Sequence, residues 1–155
     1  MNLSSDFYDL LVAFEEAGAE YLLIGGYAVS LHSEPRYTKD IDLWIESSPA
    51  NLERVAEALE AFGVPARAID DVKTSAEDEI VWFGHPPGRV DILKRIPGVE
   101  FYAAYRNRAR IPLGDKVVAS VISIGDLIAA KLAAGRVQDL LDVEALRAVR
   151  GRDDD

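Results

Sequence analysis

Hydrophobic positions along the chain recur with two different periods, which divide it into helices and strands. Between Phe7 and Phe14 they fall three and four residues apart, the spacing of one buried helical face. A second run of this kind occupies residues 50–62, with Pro49 in its first turn and Ser48 as its cap. A glycine follows each run closely, as it commonly does at the end of a helix. The pattern therefore predicts two amphipathic helices.

Short apolar runs without a helical period predict strands. They cover residues 20–24, 40–45, 80–83, 89–93 and, as a shorter element, 114–119. The third and fourth runs are joined by a His-Pro-Pro-Gly turn sequence, so we expect them to form a hairpin. The first run is almost continuously apolar, which indicates burial on both faces. Residues 66–77 show no clear period, and this stretch is predicted to be an irregular loop.

Two further helices are predicted in the last third of the chain. The first runs from Asp126 to Ala134 and follows Ser123, a favourable N-cap residue. The final helix opens around Asp139 and ends near Arg150. The length of 155 residues suits one domain, which we place at residues 1–150, with a disordered tail at 151–155.

Composition excludes several classes of protein. Hydrophobic residues make up 49% and charged residues 28% of the chain, as in ordinary globular proteins. There is no cysteine, so a disulfide framework and any cysteine-based metal site or nucleophile are ruled out. No apolar run approaches the ~18 residues needed to cross a bilayer, and the N-terminus lacks the basic stretch of a signal peptide. We therefore expect a cytoplasmic protein with no membrane partner.

The charge balance is strongly acidic, with a net charge of −10 from 17 basic and 27 acidic residues. Such a balance disfavours non-specific binding to long nucleic acids, which depends on neutralising phosphates. Positive charge is concentrated between Lys94 and Arg110, and we interpret that stretch as solvated surface.

Two aspartates give the clearest sign of chemistry. On a strand, Asp40 and Asp42 project from one face, while the apolar residues between and after them point to the other. Neighbouring carboxylates repel each other, and a divalent cation is the most effective remedy. An isolated Asp-x-Asp is more often a solvated edge strand, but the Gly25-Gly26 pair upstream favours function here.

The two glycines lie where the first strand gives way to a short helix, predicted to begin at Gly26. Glycine lets the backbone approach a ligand closely, and the free N–H groups of a helix start favour phosphate. A tight turn is the simpler explanation of such a pair. A turn alone, however, would not require two glycines.

A Gly-Gly pair at a strand-to-helix turn, followed by Asp-Ile-Asp on the next strand, resembles the nucleotidyltransferase superfamily that shares the DNA polymerase β type fold. The segment GGYAVSLHSEPRYTKDIDL is similar to its small bacterial members, including toxin-type and aminoglycoside-modifying-type enzymes. The resemblance covers the first third of the chain well and two later segments more loosely. It implies an α/β (α+β) nucleotidyltransferase fold, with a short mixed sheet flanked by helices and a C-terminal helical segment.

The resemblance also implies roles for later residues. The superfamily places its third carboxylate on the hairpin, where Asp91 is a lone acid in an apolar run; an outward-facing strand aspartate is the alternative. A hydroxyl two residues before the first metal-binding aspartate often touches the terminal phosphates, and Thr38 occupies that position. Toxin-like members have a helix lysine that faces the triphosphate, which Lys131 matches. Three residues are left open between a site role and a structural or surface role, namely Arg36, Arg136 and Asp139.

The implied activity is metal-dependent transfer of an NMP from an NTP to a hydroxyl acceptor, which would be a protein, an RNA or tRNA end, or a small molecule. The implied catalytic acids and ligands for two Mg²⁺ ions are Asp40, Asp42 and Asp91. The implied nucleotide-binding residues are Gly25, Gly26, Thr38, Lys131 and Arg36. A toxin–antitoxin component with a cognate antitoxin or other partner protein is one possible setting. The alternatives are a non-catalytic module for nucleotide sensing or partner binding, and an unrelated α/β domain with surface acids.

Overall fold

The computed structural model describes residues 5–34, 38, 40–85 and 88–153. Within those ranges it contains seven helices and six strands. Their order is α1 (Ser5–Ala17), β1 (Tyr21–Ile24), α2 (Gly25–His32), β2 (Asp40–Ile45), α3 (Pro49–Phe62), α4 (Ala66–Thr74), β3 (Val81–Phe83), β4 (Arg89–Leu93), α5 (Phe101–Arg106), β5 (Ala109–Leu113), β6 (Val117–Val121), α6 (Ile124–Ala134) and α7 (Val137–Asp153).

The six strands form one mixed sheet in the order β3-β4-β2-β1-β6-β5. β2 lies near its centre, antiparallel to β1 and parallel to β4. β1 is parallel to β6, and the β3–β4 and β5–β6 hairpins supply the two edges. The predicted fold class, a mixed sheet flanked by helices, is confirmed.

The centre of the sheet is buried because apolar side chains occupy almost all its positions. Every residue of β1 is buried, and so are the last three residues of β2. In β2 Trp44 is 1% exposed and packs edge-to-face on Phe101, whereas Asp40 and Asp42 are only partly buried. The core therefore holds β2 firmly and leaves two aspartates at its beginning.

Polar side chains fix the ends of several helices. Ser48 and Ser123 each accept a hydrogen bond from the backbone N–H three residues later, as the sequence predicted for both caps. At the end of α2, His32 Nε2 lies 2.6 Å from the Ile122 carbonyl oxygen and donates to it. This contact ties α2 to the end of β6 and keeps α2 in place beside the sheet.

Two predicted elements were wrong. The stretch 66–77, predicted to be irregular, contains α4, whose one fully buried residue is Val72 and whose N-cap residue, Pro65, offers no capping side chain. The predicted strand at 114–119 is instead the turn at 114–116 and part of β6, and β5 precedes it. In both places the periodic signal is short, and in β5 it is interrupted by Pro112.

Smaller differences concern the ends of elements and one lysine. α2 begins at Gly25, one residue earlier than predicted, and α7 continues past Arg150 to Asp153. The last two residues of the predicted tail lie outside the described part of the chain. Lys94, expected at a solvated surface, is 8% exposed, and its ammonium donates to the Ser75 carbonyl at 2.7 Å.

None of the helices in the described ranges combines the length and the apolar character that a membrane crossing requires.

Candidate active site

Two of the predicted carboxylates meet at the junction of β2 and β4. The parallel register pairs Asp42 with Asp91, and Asp40 with Arg89. Side chains that are paired directly across neighbouring strands lie on the same face of the sheet. Two acids that are distant in the sequence are therefore adjacent in space, and Asp40 lies on their face, two residues before Asp42.

This face is short of positive charge. Burial and the neighbouring Asp91 carboxylate raise the pKa of Asp42 to about 7, and Asp40 adds to the effect. Asp91 itself is countered by Arg89, whose Nε donates to its Oδ1 at 2.9 Å. Asp40 Oδ1 is buried and has no hydrogen-bond partner among the residues that the structure describes. A cation from solution would relieve this imbalance.

Gly25 brings the start of α2 against Asp42. Its φ is +69°, and a Cβ at this position would overlap the Asp42 carboxylate, so only glycine fits. In the described part of the chain no side chain caps this helix start. The first backbone N–H groups of α2, which include that of Gly26, are therefore available to an anion.

Lys131 contributes positive charge from α6. Its ammonium lies 3.3 Å from Asp139 Oδ1 and 3.0 Å from Asp142 Oδ2, two nearly fully buried carboxylates of α7. The charge of Lys131 also lowers the pKa of Asp42. Lys131 therefore lies near the paired acids, and its contact with a triphosphate stays a prediction.

Asp139 is held by Arg136 as well as by Lys131. Arg136 Nε lies 2.7 Å from Asp139 Oδ2, and the hydrogen bond from Arg136 is the main reason why the pKa of Asp139 falls to about 2. The sequence left a salt bridge and a site role open for this pair. The structure shows the salt bridge, and both residues also line the cavity of the carboxylates.

A cavity of about 350 Å³ connects these groups. Its charged lining and its glycine are Gly25, Asp42, Asp91, Lys131, Arg136 and Asp139. The remaining lining residues are apolar and come from the end of β1, from the β3–β4 side and from α6. The cavity therefore has a polar end, where the acids meet α2 and Lys131, and an apolar wall.

A second cavity, of about 480 Å³, lies at the far end of β2. Its carboxylates are already engaged in local structure. Glu46 accepts from the backbone N–H and the hydroxyl of Ser48, and Glu100 accepts from two backbone N–H groups at the start of α5. We therefore assign the candidate site to the smaller cavity, where a second carboxylate and burial raise the pKa of Asp42 and where the nearby Asp40 Oδ1 has no partner among the described residues.

Some predicted site residues lie outside the cavity lining described above. Gly26 and Asp40 adjoin lining residues, and Thr38 is tied to α2 because its carbonyl accepts from the Tyr27 hydroxyl at 3.3 Å. Arg36 lies outside the described residues. Arg89 was not among the predicted residues, although its position two residues before Asp91 puts it on the same strand face.

The oxygen donors of this face suit a hard divalent cation. No three His, Asp or Glu side chains within residues 5–34, 38, 40–85 and 88–153 are already gathered as a metal-holding group. However, Asp91 is close enough to Asp42 to raise the pKa of Asp42, and Asp40 Oδ1 is buried without a hydrogen-bond partner among the described residues. Carboxylate oxygens are the ligands that Mg²⁺ prefers, and a cation between them would remove the repulsion.

The sequence matches a family model described as "Nucleotidyltransferase of unknown function (DUF6036)" over residues 8–152. No curated protein matches the chain. Among solved structures, the crystal structure of the lincosamide antibiotic adenylyltransferase LnuA with bound lincomycin is similar, with a TM-score of 0.55 and 15% sequence identity. The match covers 96% of this chain and 99% of that one, so the likeness in fold extends over both.

Proposed function

Because the chain belongs to the nucleotidyltransferase family whose model it matches, we propose that it transfers a nucleoside monophosphate from an NTP to a hydroxyl acceptor. The observation that carries the proposal is the Asp42–Asp91 pair next to the uncapped start of α2 at Gly25. Paired carboxylates suit divalent cations, and a free helix start suits phosphate. Transfer of a phosphoryl group needs both in one place.

Asp40, Asp42 and Asp91 are the residues that would hold two Mg²⁺ ions. When bound, Mg²⁺ would neutralise the triphosphate and lower the pKa of the acceptor hydroxyl. The acceptor oxygen bonds to the α-phosphorus while the bond to the bridging oxygen breaks, and pyrophosphate leaves with the electron pair. Asp91, which Arg89 holds through an ion pair, would accept the hydroxyl proton.

The triphosphate would lie between the start of α2 and Lys131. The backbone N–H groups at the uncapped start of α2 would bind the phosphates, and Lys131 is already oriented by two carboxylates of α7. Thr38 and Arg36 stay predictions for the terminal phosphates. In this proposal the Arg136–Asp139 pair acts by holding Lys131 in place.

A small molecule is the acceptor class that we favour over a protein or an RNA end. The structure of LnuA, an antibiotic adenylyltransferase, contains lincomycin, which is a small molecule. The net charge of −10 is unfavourable for an RNA acceptor. The toxin–antitoxin role, a cognate antitoxin or partner protein, and the cytoplasmic location stay predictions from the sequence.

The test is label transfer from each of the four α-³²P-labelled NTPs to acceptors in a cell extract, with Mg²⁺ or with EDTA. Asp42→Asn is compared with Asp115→Asn, which changes an exposed acid in the β5–β6 turn. We expect Mg²⁺-dependent transfer that falls about 10³-fold in Asp42→Asn, a loss of about 4 kcal/mol of transition-state stabilisation. Transfer by Asp115→Asn should equal that of the wild type.

Two negative outcomes have different meanings. Absence of transfer with any nucleotide, while calorimetry shows Mg²⁺-dependent nucleotide binding, would identify a non-catalytic sensing or partner module. Absence of both transfer and binding would overturn the proposed function.

A further inference from the structure

The edge strand β3 and the residue before it expose two large apolar side chains beside the carboxylates. Ile80 is 54% exposed and Trp82 is 55% exposed. Tryptophan is a largely buried residue in most proteins, and exposed apolar side chains grouped next to polar ones commonly mark a binding site. The transfer chemistry derived above uses neither residue.

Trp82 lies in the same row as the paired acids. The antiparallel register sets Trp82 opposite Asp91, and the parallel register sets Asp91 opposite Asp42. Directly paired residues share a face, with their Cβ atoms about 5 Å apart. The indole therefore lies one strand beyond the acid that is placed to receive the proton of the acceptor hydroxyl.

Arg89 links this indole to Asp91. Its guanidinium carbon lies 4.7 Å from the centroid of the Trp82 ring, and its Nε donates to Asp91 Oδ1 at 2.9 Å. A guanidinium over an indole is a favourable cation–π contact. One side chain thus sets the position of the ring relative to the acid, while more than half of the indole side chain stays open to solvent.

The phosphate-binding end lies on the other side of the acids. Gly25 directly follows β1, and the sheet order places β1 on one side of β2 and β4-β3 on the other. In phosphoryl transfer the attacking and leaving oxygens are roughly in line. If the triphosphate lies toward β1, the acceptor approaches from the side of β4 and β3, where Trp82 is found.

Apart from Arg89, which is paired with Asp91, the surroundings of Trp82 are unfavourable for a phosphate-rich acceptor. Ile80 lines the active-site cavity and also a neighbouring cavity of about 530 Å³, which Trp82 borders. The charged lining residues of that neighbouring cavity are Asp71 and Glu79, and its described lining contains no lysine or arginine. A nucleic-acid backbone requires positive charge along its path.

We propose that Ile80 and Trp82 form the acceptor subsite, and that the acceptor is a small hydroxyl compound with a flat ring and no phosphate. The ring stacks on the indole, and its hydroxyl is directed toward Asp91. The inference rests on the proposed function, because it takes Asp91 as the place where the hydroxyl reacts. Trp82 thereby determines specificity for the acceptor and leaves nucleotide binding to the other end of the site.

Binding of p-nitrophenyl β-glucoside tests the subsite without turnover, because a nitrophenyl ring quenches a stacked indole. The probe is titrated into the full chain with Mg²⁺ and a non-hydrolysable ATP analogue, and fluorescence and calorimetry are recorded. The chain has two tryptophans, and Trp44 is only 1% exposed, so saturable quenching reports on Trp82. Glycerol, which has hydroxyls but no ring, should not bind.

Matched variants sharpen the test. We expect the affinity for the glucoside to fall roughly tenfold or more in Trp82→Ala and to be largely kept in Trp82→Phe, which retains a ring. Tyr102→Ala is the control, because Tyr102 is 48% exposed and lines the cavity at the far end of β2. Affinity for the ATP analogue should be unchanged in all three variants.

Several outcomes would overturn the inference. They are wild-type binding of the glucoside by Trp82→Ala, a lack of saturable quenching, loss of nucleotide affinity in Trp82→Ala, or tighter binding of a short RNA ending in ribose than of the glucoside. The first two would leave the proposed function intact if Mg²⁺-dependent nucleotide binding persists. Absence of that binding in the wild type would remove both.

Discussion

Two pairs of aspartates contribute to one cavity or lie beside it, and they differ in what surrounds them. Asp139 and Asp142 on α7 are 1% and 3% exposed, and Lys131 forms an ion pair with each of them. The hydrogen bond from Arg136 lowers the pKa of Asp139 to about 2. Asp42 and Asp91 are more open to solvent, yet partial burial and then the facing Asp91 carboxylate raise the pKa of Asp42 to about 7.

The comparison shows that burial alone does not decide the state of a carboxylate. The α7 pair is deeper but satisfied, so its charge is compensated within the fold, and it serves to orient Lys131. The sheet pair is shallower, and among the described residues only Asp91 of its two acids has a direct cationic partner, Arg89, so Asp42 is the acid with a use for a cation from solution. A carboxylate in a cavity that lacks a direct ion pair is a better sign of function than one that is merely deeply buried.

The largest expected effect is a difference between the wild type and Asp42→Asn in how the free energy of unfolding depends on pH. The folded-state pKa of about 7 lies above the ordinary value of 3.8, so the folded protein keeps a proton that the unfolded chain releases. That stabilisation is complete below about pH 4 and is lost as the pH rises to about 7, at about 1.4 kcal/mol per pH unit. Asp42→Asn does not titrate and should escape the loss.

Urea unfolding in EDTA between pH 4 and 8 measures this difference. The free energy of unfolding of Asp42→Asn relative to the wild type should grow by roughly 4 kcal/mol over the interval. Parallel pH profiles for the two proteins would show that folding does not raise the pKa of Asp42, and the contrast between the two pairs would disappear.

The opposite sign is expected for the satisfied pair. Asp139→Asn removes a carboxylate that compensates Lys131 and Arg136, and breaking such a buried interaction costs about 3 kcal/mol. Urea unfolding at pH 7 gives the value. Asp115→Asn, in the exposed β5–β6 turn, should stay within about 0.5 kcal/mol of the wild type. Equal stability of Asp139→Asn and Asp115→Asn would contradict the structural role.

A smaller effect tests how closely α2 approaches Asp42. Gly25 and Gly18 share a φ of +69°, so alanine costs about 1 kcal/mol at each through the backbone. An added Cβ at Gly18 meets nothing within 4 Å, whereas at Gly25 it overlaps the Asp42 carboxylate. Gly25→Ala should therefore be less stable than Gly18→Ala by roughly 2 kcal/mol in urea unfolding. Equal losses of stability in Gly25→Ala and Gly18→Ala would mean that Gly25 does not lie against the Asp42 carboxylate.

The smallest effect concerns Mg²⁺ itself. At ten times its dissociation constant, Mg²⁺ should stabilise the wild type by about 1.4 kcal/mol, seen as a rise in Tm. The rise should vanish in Asp42→Asn and persist in Asp139→Asn, because Asp42 has no direct ion pair in the described structure, whereas Asp139 is already paired with Lys131 and Arg136. A rise that survives in Asp42→Asn would place the metal elsewhere.

The sequence was sufficient for the parts of the fold with strong local signals. The strand from Asp40 to Ile45 and the cap at Ser48 followed from period and residue type, and both were found as predicted. α4 and the β5–β6 hairpin were missed because their signals are weak, with one fully buried residue in α4 and Pro112 within β5.

The site could be predicted only as a set of residue types. Asp42, Asp91 and Lys131 were named from spacing and resemblance, but their neighbours depend on register and helix packing. That Arg89 holds Asp91, and that Trp82 lies opposite it, follows from how β3, β4 and β2 align. No local sequence pattern encodes that alignment, so the proposed acceptor subsite could not be predicted from the sequence.

The pairing of β2 with β4 determines which side chains of the two strands share a face, and therefore whether the site forms. A slip of one residue would turn Asp91 into the apolar side of the sheet and bring Val90 or Ile92 beside Asp42. A slip of two would keep the face but replace Asp91 with Arg89 or Leu93. Since repulsion between the acids opposes the native alignment, the buried valine and isoleucine on the opposite face must impose it. A conservative change in the core could therefore abolish the chemistry without touching any residue of the cavity.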